Sequence, residues 1–313
     1  MTKASRKPKV ARATEPNVGI RSKLQKRLVS LCKQFDKMVI DDIFLHLAHQ
    51  NTLAQDWSLS DPKTNRDKQR LKEISTAVLA AWRRDNAAFR SDIEGYVDRN
   101  IASWTSKATT AARKLAVWVA RTIAADVTAS QRSAYVAAGL SPDIFKEKWT
   151  VPVLRQHISQ SAAQALPELI KWSTELITRM AVRDVERLQN LITEGLQKGQ
   201  SVSEIRHFLS VTDGFSADRA RNVAIDQTNK ITQGIARAND AELGVTQGIW
   251  IHVPGQYTSR ETHKAMHGKR FDLNRGLFDS EAGRYTFPSV EPFCRCTYRP
   301  VIPMDALGIK RND

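Results

Sequence analysis

Two histidines and two cysteines form the set most able to do chemistry in this chain. His263 and His267 stand four residues apart in the segment TSRETHKAMHG, and Cys294 and Cys296 follow as a Cys-x-Cys clip. At 3.6 residues per turn, the histidine spacing predicts both rings on one face of a short helix. Two imidazoles and two thiolates from two short segments suit a tetrahedral zinc site with no open position. His263, His267, Cys294 and Cys296 are therefore the expected metal set, with zinc as the ion. A second reading stays open. The histidines are then ordinary surface or half-buried side chains, and the cysteines pack as small apolar groups. A Cys294–Cys296 disulfide is disfavoured, because one intervening residue strains the bridge. The third cysteine, Cys32, is isolated, so no disulfide framework is expected.

The elements that must position these four residues are short. Trp250 to Val253 reads as a strand ended by Pro254 and Gly255. Thr258 or Ser259 caps the histidine helix and Gly268 stops it. Further strands are expected at 284–287 and 296–299, bounded by Pro288, Pro292, Pro300 and Pro303. The result is a small α+β module over residues 245–303. A segment this short needs a metal or a neighbouring domain to be stable.

The order Trp250, Arg260, His263, His267-Gly268, Pro288, Pro292, Cys294-Arg295-Cys296 and Pro300-Val301 resembles the phage Mu F-like head-morphogenesis family. The helix Arg219 to Asn229 resembles the one that precedes this block in that family, and the likeness covers about residues 200–303. Trp250, Arg260, Gly268 and Arg295 are the family-motif residues beside the metal set. Two departures stand out. Asp226-Gln227-Thr228 replaces the usual Arg-Thr-Glu step, and no acid follows the tryptophan strand at Pro254 to Tyr257. The resemblance implies a minor head (capsid) protein of a tailed bacteriophage, needed for head assembly near the portal or the packaged DNA. Its implied partners are the portal and/or major capsid protein. Its implied location is the virion, with the host cytoplasm during assembly.

The rest of the sequence fits a polyanion partner. Forty-eight Lys and Arg against 33 Asp and Glu give a net charge of +15 over 313 residues. Such an excess draws a chain to nucleic acid. It concentrates in residues 1–23, where Lys3, Arg6, Lys7, Lys9, Arg12, Arg21 and Lys23 face one acid, Glu15. This is expected to be a disordered basic arm that neutralises phosphates of double-stranded DNA without reading sequence. No apolar run reaches the ~20 residues of a membrane helix, and nothing calls for a small-molecule substrate.

Residues 24–244 read as a helical domain. Leu24, Leu28, Leu31, Phe35 and Met38 recur at helical spacing. Further helices are expected over 66–99, 101–128 and 153–198, the last kinked or split at Pro167. Trp82, Trp104, Trp118, Trp149 and Trp172 fall in apolar stripes and read as core anchors. A last helix to about Leu243 is rich in amides (Asn222, Gln227, Asn229, Gln233), which suggests contacts with polar backbone. A polar tail, 304–313, ends the chain. The expected fold is thus a mainly α N-terminal helical domain followed by a small α+β C-terminal module.

No phosphate-binding loop, dinucleotide fingerprint, nucleophile elbow or His-Glu-x-x-His motif occurs. Catalysis is not required by the sequence. The alternative is a metal-assisted nuclease or toxin-like domain in which His263 and His267 move protons and Arg260 stabilises charge. A carboxylate partner for that chemistry is not evident in the sequence.

Overall fold

The computed structural model describes residues 8–50, 65–149, 158–200, 204–205, 207–208, 214–254 and 259–303. Lys3, Arg6, Lys7, the candidate cap Thr258 and the tail 304–313 lie outside the described residues. The helices are α1 (Val18–Gln50), α2 (Asn65–Arg84), α3 (Asn86–Ala137), α4 (Asp143–Lys148), α5 (Gln160–Val182), α6 (Val185–Gln197), α7 (Gly214–Glu242) and α8 (Glu261–Ala265). The strands are β1 (Lys9–Val10), β2 (Gln247–Ile251), β3 (Arg270–Asp272), β4 (Leu277–Asp279), β5 (Arg284–Thr286) and β6 (Thr297–Ile302). A long helical region followed by small antiparallel sheets is the fold class expected.

Local chemistry sets several helix ends. Asn17 caps α1: its side-chain oxygen accepts the N–H groups of Gly19 and Ile20 at 2.9 and 3.1 Å. Asp85 does the same for α3, accepting the Ala88 N–H at 3.0 Å. The helix break therefore falls at Asp85, inside the helix expected over 66–99, and α3 runs unbroken through Asn100, where one helix was expected to give way to the next. Likewise α5 runs through Pro167. Its neighbour Leu166 and the positions Ala162 and Ile177 are buried, so tertiary packing overrides the local penalty. Gly268, expected as a stop, has a positive φ, as do Gly139, Gly199 and Gly244 just past the ends of other helices.

The chain forms two compact units. One comprises Lys26–Lys114 and Thr174–Ala220. Its core gathers Phe35, Val39, Ile43 and Phe44 of α1, Val78 and Trp82 of α2, Ile93 and Trp104 of α3, and Leu188 and Ile192 of α6. Leu31, Met38 and Leu45 flank it, partly buried. Trp104 also donates its indole N–H to Asp42 at 2.8 Å.

The other unit comprises Met1–Gln25, Leu115–Ser173 and Arg221–Asp313. It contains a four-stranded antiparallel sheet in the order β1-β6-β2-β3 and the hairpin β4-β5. Trp149 is buried here, whereas Trp118 and Trp172 are half-buried. The division departs from the expected one, which set 24–244 apart from 245–303. Most of α7 shares a unit with the strands, and its amides bond backbone carbonyls of the segments that flank them. Asn229 Nδ2 donates to the Cys294 carbonyl at 3.5 Å, and Gln233 Nε2 donates to the Thr14 carbonyl at 2.9 Å.

The basic arm also differs from expectation. Lys9 and Val10 pair with Ile302 and Val301, and the Ala11 N–H donates to the Pro300 carbonyl at 3.1 Å. Ala11 and Thr14 are buried. From Lys9 onward the arm is part of the fold. Its composition gave no sign of this because an edge strand is held through backbone groups, which every sequence carries.

Candidate metal centre

The sheet register brings the site together. In the β2–β6 ladder, Trp250 faces Tyr298 and Ile251 faces Thr297. Just past the ladder's end, His252 Nδ1 lies 3.5 Å from Cys296 Sγ. Side chains two residues apart along an extended chain point the same way, so Cys-x-Cys aims two thiols to one side. Gly268 N–H donates to the Trp250 carbonyl at 2.8 Å, and the Trp250 N–H donates to the Lys269 carbonyl at 2.9 Å. These bonds seat α8 and its His263 beside the strand. Gly268 has φ 77°, the left-handed conformation that glycine adopts without strain.

His263, Cys294 and Cys296 converge, and their ligand atoms all lie within 4.8 Å of one another. His263 Nδ1 is 3.4 Å from Cys294 Sγ and 3.8 Å from Cys296 Sγ. All three residues are buried, at 2, 5 and 2% exposure. Trp250, fully buried, meets the His263 ring edge to face at 5.4 Å. The other ring nitrogen of His263, Nε2, is 3.1 Å from Asp279 Oδ2. Asp279 is itself held by the N–H groups of Glu281 and Ala282 at 3.0 and 3.4 Å. This group can hold a metal ion.

His267 stands elsewhere. Helix α8 ends at Ala265, so the four-residue spacing does not keep both rings on one helical face. His267 is exposed, and its Nδ1 accepts the backbone N–H of His252 at 3.1 Å. The expected set of four is brought together at three positions.

The electrostatics match ligand duty. The hydrogen bond from Cys294 lowers the Cys296 thiol to about 7 against the opposing effect of burial. Cys294 is pushed up by that same bond and by burial. Cys296 therefore gives up its proton more readily than Cys294, and a bound cation would favour the thiolate form of both. Burial presses the His263 pKa down, but Cys294 and Asp279 outweigh it and leave the imidazole above its usual value.

The motif arginines have separate places. Arg260 donates to the Pro292 carbonyl at 3.3 and 3.4 Å, fixing the turn before Cys294. Arg295 lies near Arg21 and Arg221. The Arg21 guanidinium is lowered by burial and by the charges of Arg295 and Arg221. Among the described residues, none of these three arginines has a carboxylate partner. Lys9, Arg12 and Lys23, also of the expected phosphate set, are exposed.

Sequence reasoning missed Asp279 and His252. Asp279 supplies the carboxylate that no nearby motif announced. His252 carried a signal in its strand, because it alternates with buried Trp250 and so faces the same side.

A small α+β module built on a His/Cys/Cys group thus sits against an amide-rich helix. Residues 186–299, from α6 through most of this module, match the family model described as Phage Mu protein F like protein. The resemblance read from the sequence holds over that segment. Neither the curated proteins nor the solved structures yield a match to the chain.

Proposed function

We propose that the chain is a minor head protein of a tailed bacteriophage, needed for head assembly and placed in the virion near the portal or the packaged DNA. The match of residues 186–299 to the Mu F-like model carries this reading. The portal or major capsid protein is its protein partner, and double-stranded DNA its non-specific one. The net charge of +15 supports phosphate contact, as does the unneutralised group Arg21, Arg221 and Arg295. No described helix is long and apolar enough to cross a membrane.

The His/Cys/Cys group serves structure, with zinc as its ion, since thiolate and imidazole donors suit zinc. Its burial disfavours the nuclease alternative. His263 is 2% exposed beneath Trp250, so a phosphodiester does not reach it. His267 is exposed, but its Nδ1 is engaged by the His252 backbone.

The test is genetic and biochemical. Phage lacking the gene should accumulate defective heads, and the protein should sediment with capsids. Purified protein should bind duplex DNA of any sequence and cut none. Removing residues 1–7, with Lys3, Arg6 and Lys7, should lower the salt slope of binding by roughly 2–3. Normal heads without the protein, or DNA cleavage lost in His263→Ala, would overturn the reading.

A further inference from the structure

We infer that His252 is the fourth ligand of a closed zinc site formed with His263, Cys294 and Cys296, and that His267 positions His252 instead of binding the ion. This rests on the reading that the His/Cys/Cys group holds zinc.

The geometry of a tetrahedral site fixes how far apart its ligand atoms lie. Zinc bonds of about 2.3 Å to sulfur and about 2.05 Å to nitrogen place neighbouring S and N ligands roughly 3.6 Å apart. The two edges from His263 Nδ1, to Cys294 and Cys296, measure 3.4 and 3.8 Å. His252 Nδ1 lies 3.5 Å from Cys296 Sγ, the same kind of edge, and because it stands outside the trio whose ligand atoms are all within 4.8 Å of one another, its ring must draw inward as the ion binds. The sheet explains the placement: Ile251 pairs with Thr297, so the next residues outward, His252 and Cys296, face each other past the ladder's end. Both histidines turn Nδ1 toward sulfur.

His267 has a different task. Its Nδ1 accepts the His252 N–H at 3.1 Å, just where β2 has run out of ladder bonds. That bond holds the His252 backbone, and so its ring, against the thiols. An Nδ1 used in this way has no lone pair left for a metal. Two thiolates balance the charge of Zn²⁺, leaving a neutral buried centre. With four protein ligands no position remains for water, as in structural sites.

The experiment uses the full chain with zinc, then with cobalt(II) as a spectroscopic substitute. Wild type should bind one zinc per chain and give intense tetrahedral cobalt bands. His252→Ala should weaken zinc by more than the ~10–100-fold that loss of a supporting group costs, and should flatten those bands. His267→Ala should keep the bands and lose affinity only within that smaller range. Should His252→Ala fail to fold, His252→Cys supplies a third thiolate. Its sulfur-to-cobalt charge-transfer band should then grow by about half. Unchanged bands in both His252 variants, or collapsed bands in His267→Ala alone, would overturn the assignment of His252 while leaving the metal in place. A folded wild type that binds neither ion would overturn the zinc reading itself.

Discussion

The Tyr298 hydroxyl donates to Asp240 Oδ2 at 2.6 Å, joining β6 to α7 through a carboxylate with no exposure to solvent. Tyr135 donates to the other oxygen, as does Gln131 Nε2 at 2.9 Å. Burial raises Asp240 to about 7 despite these donors. The folded state therefore holds this proton at pH values where the unfolded chain, near 4, has released it. Stability contributed by the protonated form is complete below about pH 4 and is lost as pH rises toward 7. The expected slope is roughly 1.4 kcal/mol per pH unit in that window. Urea unfolding across it should show the decline, and Asp240→Asn should remove it.

Asp226 ties the turn before the cysteines to α7. Its Oδ1 accepts the Phe293 N–H at 2.8 Å, and its Oδ2 pairs with Lys230 at 2.9 Å, both side chains being nearly buried. Phe293 has φ 57°, so the turn is strained and needs the bond. Asp226→Ala should cost about 3–5 kcal/mol, chiefly by leaving Lys230 as an unpaired buried charge over Trp172. Asp226→Asn keeps an acceptor for Phe293 and should cost less. Adding Lys230→Met should recover part of the loss. Denaturant midpoints of the three variants check this.

What was legible in the sequence is what repeats locally. The stripe Leu24, Leu28, Phe35 is buried as expected, and Trp250, His263, Cys294 and Cys296 meet. The amide-rich helix contacts backbone, as its composition suggested. At the departure from the family step, Asp226 bonds the Phe293 N–H. Illegible were features fixed by pairing across the chain. His252 reaches Cys296 only through the β2–β6 register, and Asp279 reaches His263 only because the β4-β5 hairpin folds back. Lys9 pairs with Ile302 through backbone groups alone. His267 was grouped with His263 on the assumption that the helix continued, but it ends at Ala265.

The first strand yields a truncation test. The Thr14 carbonyl accepts both Gln233 Nε2 at 2.9 Å and the Thr297 hydroxyl at 3.3 Å. Starting the chain at Pro16 removes this acceptor and β1, leaving two buried donors unsatisfied at about 1–3 kcal/mol each. Starting at Pro8 leaves both intact. The longer truncation should lower the thermal midpoint by on the order of 5 °C or more, and the shorter one should leave it unchanged. Equal midpoints would show that the strand adds nothing to stability.

Asp279 offers the sharpest probe of the centre that does not touch a ligand. It is fully buried, with Oδ2 3.1 Å from His263 Nε2 and Oδ1 taking the Glu281 and Ala282 N–H groups. With a metal on Nδ1, the Nε2 of His263 must carry a proton, and Asp279 accepts it, fixing ring and tautomer. Asp279→Asn cannot serve both sides. If its oxygen keeps the two backbone N–H groups, its NH₂ meets the His263 N–H donor to donor. If it flips, the turn loses its acceptor. Zinc affinity should therefore fall about 10–100-fold, read by competition with a chromophoric chelator. The cobalt bands should keep their tetrahedral positions, because the ligand set is unchanged. Wild-type affinity in a folded Asp279→Asn variant would mean that this carboxylate holds only the hairpin and leaves the His263 ring to the packing of Trp250.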